Sequence, residues 1–382
     1  MLGFLLARAG VNVCVLEKHK DFFRDFRGDT IHPSTLELMH ELGLLEEFLK
    51  QPHDELREIT AHFGAEVIHI ADFTHLPTQC KFLAFMPQWD FLNFLAAKAR
   101  AYPSFQLRTE TEVTDLMFDG ERVCGVKAKT PDGPVEIRAD LVIGADGRSS
   151  TVRDRAGLEV IDWGAPIDAL WFRLSKKPSD PPQSFGFVGL RQFMVLIDRT
   201  DYWQTAYIIR KGAFDDIRRR GMEAFRENIG QCAPFLQDRT HELQKWDDVK
   251  LLSVKVDHLR TWYREGLLCI GDSAHAMSPV GGVGINLALQ DAVATANLLS
   301  ATLLKGAPTV ADLKTVQNRR SRPALLTQRV QVYIHKHVLE AIFDSPEPLP
   351  PPRFMKLLEH FPRLRRIPAR MVGLGFRPEH IR

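Results

Sequence analysis

Met1-Leu-Gly-Phe-Leu-Leu-Ala-Arg-Ala-Gly10 runs directly into Val11-Asn-Val-Cys-Val-Leu-Glu17, and these two segments decide the fold. The first is an apolar run with a glycine stop, which predicts a helix over 2–9 that ends at Gly10. The second predicts a strand over 11–16 closed by an acid. Helix, glycine, strand and acid form the second half of a βαβ dinucleotide-binding unit. In such a unit the acid lies about 20 residues beyond the first glycine of a G-x-G-x-x-G turn and accepts from a ribose hydroxyl. Glu17 is the acid here. The same spacing puts the last glycine of that turn about two residues before Met1. The expected full sequence therefore starts about 15 residues further upstream, with the first strand and the glycines.

Of 382 residues, 45% are hydrophobic, enough for two cores and too apolar for a disordered chain. Against 50 Lys and Arg stand 48 Asp and Glu, a net charge of +2. That balance speaks against a nucleic-acid partner, which asks for a basic surplus. Cys14, Cys80, Cys124, Cys232 and Cys269 form no C-x-x-C pair, and Cys14 and Cys269 sit in apolar strand patterns. They read as buried thiols of a reducing, cytoplasmic compartment. The sequence has neither a long apolar span nor a signal-peptide pattern.

Beyond Glu17, a helix is expected from Ser34 or Pro33 through Leu44, a hairpin over 59–70 around Gly64, and a helix over 89–100. Residues 106–145 read as strands throughout, with a turn at Pro131-Asp-Gly133. Aromatic-rich strands follow over 170–210, helical segments over 214–229, and strands again over 249–256 and 267–271. A long helix covers 284–304. The remainder is helical, interrupted by Pro346, Pro348 and Pro350 to Pro352. The chain shows no internal repeat.

Two segments carry the chemistry. In Gly271-Asp-Ser-Ala-His-Ala-Met-Ser-Pro-Val-Gly-Gly-Val-Gly-Ile-Asn-Leu-Ala-Leu-Gln-Asp291, a carboxylate at a strand's carboxyl end is placed to accept from a polyol hydroxyl. Gly281, Gly282 and Gly284 let backbone approach a flat ligand. The helix behind them offers free N–H groups and a positive dipole end. In Ala139-Asp-Leu-Val-Ile-Gly-Ala-Asp-Gly-Arg-Ser-Ser-Thr-Val-Arg153, a strand meets an Asp-Gly turn and a capped helix.

Together these segments resemble the class A flavoprotein monooxygenases of the para-hydroxybenzoate hydroxylase type, over nearly the whole chain. The resemblance implies an α/β fold: a Rossmann-like FAD-binding domain with an inserted, mainly antiparallel substrate sheet and C-terminal helices. It divides the chain into 1–58, 86–165 and 258–305 for FAD, 59–85 and 166–257 for substrate, and 306–382 as a helical C-terminal region. It puts Gly271 and Asp272 at the flavin ribityl chain, with Pro279, Gly281, Gly282 and Gly284 beside the isoalloxazine and Asn286 nearby. Asp146, Gly147 and Arg153 inherit contacts to FAD and the nicotinamide cofactor. Arg27, with Arg24 as fallback, and Gln88 match positions that touch the ribityl or pyrophosphate part. Glu17 matches the adenosine-ribose acid.

The implied reaction is hydroxylation of a small phenolic or heteroaromatic substrate with NAD(P)H and O2, through a flavin C4a-hydroperoxide. The protein must supply a dry pocket. Trp171, Phe185, Phe187, Phe193, Trp203 and Tyr207 are its expected wall, although alternating strand residues also fill cores. His32, His62, His69, His75, Tyr202 and Tyr207 are candidates for tuning a phenol proton, His275 reads as structural or flavin-adjacent, and no general base is assigned. Residues 353–382 hold eight Lys or Arg against two Glu, a surplus read as solvated final helices or as attraction to an anionic membrane surface. The alternatives are an inactive FAD-fold protein without its glycine turn, or a prenyl reductase or halogenase on the same fold. The W-x-W-x-I-P halogenase signature is absent from the sequence.

Overall fold

The helix Leu2–Arg8 and the strand Val13–Leu16 form where the sequence reading places them. This is a computed structural model, which describes residues 1–23, 30–64, 66–181 and 185–382. Helix and strand touch without a gap: a Cβ added at Gly3 would lie 2.7 Å from Val15 Cγ2 and 3.6 Å from Val13 Cγ1. Val13 and Val15 thus face the helix, and strand alternation turns Cys14 the other way. Cys14 is exposed, which corrects the expectation of a buried thiol there. Cys269 is buried, and burial pushes its thiol up to about 12.

Val13–Leu16 pairs in parallel with Phe105–Arg108, and Val142–Gly144 pairs in parallel with Leu267–Cys269. Among the described residues, Val13–Leu16 and Val142–Gly144 each have a hydrogen-bonded neighbour on one side only. Both line one large cavity. The helix Gly284–Leu303 lies between two cores and buries apolar side chains in both. Leu289, Val293 and Ala296 join Phe4, Leu5 and Leu6, while Leu287, Ala292 and Leu299 join Leu267, Leu268 and Ile270.

A seven-stranded sheet runs in the order Lys250–Leu252, Ile167–Ser175, Tyr202–Arg210, Gln192–Asp198, Phe185–Gly189, Glu58–Phe63 and Glu66–Asp72. It is antiparallel except where Phe185–Gly189 meets Glu58–Phe63. Its two faces have different tasks. Leu170, Phe172, Met194, Leu196, Trp203 and Tyr207 pack against Phe225 and Ile229 of the helix Met222–Cys232. The opposite face carries the cross-strand row Ala61, Gly186, Val195, Ala206 and Trp171, whose small residues leave a shallow trough open to the cavity.

The C-terminal region divides between these parts. The helix Val310–Ile334 packs on Gly284–Leu303, while Arg353–His360 and Arg366–Gly373 lie against the strand Glu66–Asp72. Among the described residues no helix is long and apolar enough to cross a membrane.

Candidate active site

Asp272 owes its position to a network behind it. Gly271 follows the buried strand Leu267–Cys269 with φ +60°, and a Cβ there would lie 2.9 Å from Ala288 Cβ. Only glycine combines that backbone with that contact. Its N–H donates to Asp291 Oδ2 at 3.0 Å, and Ser273 Oγ donates to Gly144 O at 2.6 Å. Asp291, fully buried, also holds His275 Nε2 at 2.5 Å and Arg320 Nε at 2.9 Å. Against the upward push of burial, His275 and Arg320 keep its carboxyl below the usual range. Arg320 donates onward to Glu379 Oε1 at 3.2 Å and Arg377 O at 3.1 Å, so the chain's last residues are tied to the Gly271–Asp272 turn.

From that turn Asp272 reaches the cavity, where Arg148 Nη2 lies 3.4 Å from its Oδ2. Gly281 and Gly282 line the same cavity, at φ +80° and +62°. The helix Gly284–Leu303 begins beside them without a side-chain cap, so its first N–H groups remain available to a ligand.

Of the expected cofactor residues, Glu17, Gln88, Asp146, Gly147, Gly271, Asp272, Pro279, Gly281, Gly282 and Gly284 all line the cavity. Asp146 also braces its own turn, accepting from Ser150 Oγ at 2.5 Å and Val152 N at 3.1 Å. Arg153 and Asn286 do not line the cavity. Arg153 is buried against Asp257, with Nη1 3.1 Å from Oδ1, and donates to Arg148 O at 2.8 Å. Asn286 accepts from His32 N at 2.9 Å and Thr35 Oγ1 at 2.7 Å, and donates to Thr30 O at 3.0 Å. Both residues hold the walls in place. Arg24 and Arg27 lie outside the described residues, as does the side chain of Phe185.

The cavity, 2430 Å³ in volume, continues from this polar end across the trough. Single ligand pockets measure roughly 300–1,000 Å³; this cavity also takes in the space beside Val13–Leu16 and Val142–Gly144, the strands with a neighbour on one side only among the described residues. Of the expected aromatic wall, Trp171 and Phe193 line the cavity, whereas Phe187, Trp203 and Tyr207 belong to the core on the other face. None of His32, His62, His69, His75, Tyr202 and Tyr207 lines it either. His62 stacks on Phe187 at 4.7 Å, His69 Nδ1 lies 3.1 Å from Glu359 Oε1, and burial pushes the Tyr207 hydroxyl up. Where the lining comes from the seven-stranded sheet and from the C-terminal region between Ile334 and Val372, it includes no titratable residue among the described ones.

Sequence reasoning missed Arg148, Asp291, Arg320 and Glu379. Arg148 and Asp291 stood inside the quoted motifs, but nothing in one sequence says which motif residue turns toward the cavity. Arg320 and Glu379 reach Asp291 across long stretches of chain and leave no local signal.

Comparison with known proteins gives the family. Residues 1–330 match the family model described as FAD binding domain. 6-Methylpretetramide 4-monooxygenase of Streptomyces rimosus is 33% identical over 340 residues, 87% of this chain and 79% of that protein. The dialkyldecalin synthase of Streptomyces rugosporus is 27% identical, over 81% of this chain and 64% of that protein. The structure of p-nitrophenol 4-monooxygenase PnpA from Pseudomonas putida DLL-E4 superimposes with a TM-score of 0.77 at 20% identity, covering 97% of this chain and 92% of that one. The chain belongs to the FAD-binding family of class A flavoprotein monooxygenases. FAD is its cofactor, and NAD(P)H is that family's usual reductant.

Proposed function

We propose that this protein hydroxylates a large, apolar, fused-ring aromatic substrate at the expense of NAD(P)H and O2. The observation that carries the reading is one continuous cavity with a polar, glycine-lined end and a flat apolar end. At the polar end, the donor set fits a flavin dinucleotide. Asp272 is placed for ribityl hydroxyls, Glu17 for the adenosine ribose, and the uncapped helix start at Gly284 for the electron-rich edge of the ring system. Gly282 supports the fit, since a Cβ there would lie 2.9 Å from Thr30 Oγ1, in a wall that backbone alone can form.

Bound FAD supplies the two-electron chemistry that activates O2 and delivers one oxygen atom to an aromatic carbon. This chain's own residues orient and dry the site. Ala61, Gly186 and Ala206 form a flat floor, with Trp171 and Phe193 as aromatic walls. Without titratable groups, the trough selects by shape and excludes stray protons. Its extent favours several fused rings over a single phenol, in keeping with the tetracyclic-pathway name of the 33%-identical relative.

A second reading, ring formation without redox turnover, draws on the same proton-free trough and on a relative named for a decalin. One experiment separates them. FAD-loaded protein is offered single-ring and fused-ring phenols while NAD(P)H oxidation and O2 uptake are followed. Fused-ring phenols should accelerate both, with hydroxylated product in step. A flavin-loaded protein whose reductant consumption no aromatic alters defeats the monooxygenase reading.

A further inference from the structure

The apolar end of the cavity reaches the surface at the helices Arg353–His360 and Arg366–Gly373. Phe354, Leu357 and Ile367 line it and are 53%, 48% and 59% exposed. Phe361, in the turn between the helices, is 58% exposed and does not line the cavity. Large apolar side chains clustered in the open mark an interaction surface rather than an ordinary solvated one. The helices themselves are anchored, because Met355, Ala369 and Gly373 are buried on their inner sides. A Cβ at Gly373 would lie 2.7 Å from Leu76 Cδ1. The exposed side chains therefore belong to a fixed outer face.

Cations surround this face. Arg365 is held by Glu359 at 2.8 Å, and Arg366 Nη2 lies 3.3 Å from His75 Nδ1. Arg353, Lys356, Arg363 and Arg370 have no acidic partner among the described residues. Glu359, the acid within these helices, is already shared between Arg365 and His69.

We propose that this face docks on an anionic lipid surface, so that the apolar end of the cavity fills from the bilayer. Short amphipathic helices in such an interface bury their apolar side chains about 5–10 Å into the headgroup boundary. Phe354, Leu357, Phe361 and Ile367 are placed for that depth, with the four cations at headgroup phosphates. Charge selects this occupant over a second copy of the chain. A two-fold contact through the patch would bring the same four cations against themselves.

The test uses full-length, FAD-loaded protein floated with vesicles of phosphatidylcholine alone or of phosphatidylcholine and phosphatidylglycerol in equal parts. Flotation is expected with the anionic vesicles and should fall roughly tenfold or more with neutral ones, or at about 1 M salt, where screening acts within ~3 Å. The double variant Lys356→Glu, Arg363→Glu should lose flotation while keeping flavin content and its rate on a dissolved substrate. Phe361→Ser should weaken flotation as well. The proposal fails if neither vesicle floats the protein, or if charge reversal leaves flotation unchanged. It also fails if the protein ignores vesicles but forms a dimer that Phe361→Ser dissolves, which would assign the face to a second copy.

Discussion

Around Gly271–Asp272 the cavity wall is a lattice of named hydrogen bonds and buried ion pairs, whereas across the trough it is a row of alanines, glycine and aromatic rims. The first kind of wall fixes atoms to within hydrogen-bond geometry and tolerates little exchange, because a buried charge that loses its partner stays buried. The second fixes only a shape, which neighbouring volumes maintain jointly. A family can keep one cofactor and vary its substrates by holding the first wall and reshaping the second. The difference also sets which substitutions should abolish the protein and which should merely retune it.

Asp291 is the harshest test of the hydrogen-bonded end. Asp291→Ala takes from the fully buried Arg320 guanidinium one of its two carboxylates, leaving Glu379, and frees the Gly271 N–H and His275. Breaking such a pair from one side is expected to destabilise by about 3–5 kcal/mol, read by denaturant unfolding together with loss of bound flavin. A milder loss points to Glu379 as the partner that suffices for Arg320.

His32 offers a pH-dependent version of the same comparison. Burial pushes its imidazole down to about 4, and Nδ1 donates to Val372 O at 2.6 Å. Since the fold binds the neutral form, its contribution is complete above the ordinary histidine value near 6.5. It drains as pH falls from there toward about 4, at roughly 1.4 kcal/mol per unit and about 3 kcal/mol in all. His32→Gln should flatten the slope of stability against pH in that window by one proton's worth. An unchanged slope places the titration elsewhere.

Legibility in the sequence followed the same divide. The positive φ of Gly281 and Gly282 and the position of Asp272 just after a buried strand were readable, because a backbone shape and a strand end are both written locally. Arg153 was read as a cofactor contact, yet Arg148 faces the cavity and Arg153 faces Asp257. Those two arginines share one motif, and which of them turns inward depends on a partner about a hundred residues away. In the sheet, alternation announces two faces without naming them. Trp171 and Tyr207 were indistinguishable as aromatic strand residues until the pairing of Trp171 with Ala206 and of Tyr207 with Leu170 put them on opposite sides.

Two substitutions compare side chain with backbone at the end of the cavity proposed for flavin. Asp272→Asn keeps the shape and removes the charge, and a charge-assisted hydrogen bond of about 1.5–3 kcal/mol predicts flavin binding weaker by roughly 10- to 150-fold. Fluorescence titration of the apoprotein measures it. Gly282→Ala acts through the backbone instead. Its φ of +62° and the 2.9 Å approach of the new Cβ to Thr30 Oγ1 predict about 1–2 kcal/mol of strain in the loop. That strain should weaken flavin binding less than Asp272→Asn does. The reverse ranking would mean that backbone approach, more than the carboxylate, holds the flavin.

The smallest effect belongs to the trough, where Phe193 touches the cavity from a strand whose hydrogen bonds are complete on both sides. Phe193→Leu removes an aromatic rim and leaves every polar contact in place. An aromatic contact contributes about 0.5–1.5 kcal/mol beyond its area, so KM for a fused-ring substrate should rise roughly 2- to 12-fold. Flavin affinity and the rate of flavin reduction without substrate should not change. Because Phe193 also packs against Gly186, its ring lying 3.2 Å from where a Cβ would stand there, the leucine frees space over the floor. Bulkier ring systems should then lose less than flat ones do. A variant that instead lost flavin would show that the two walls are mechanically one, and that the trough takes its shape from the cofactor end.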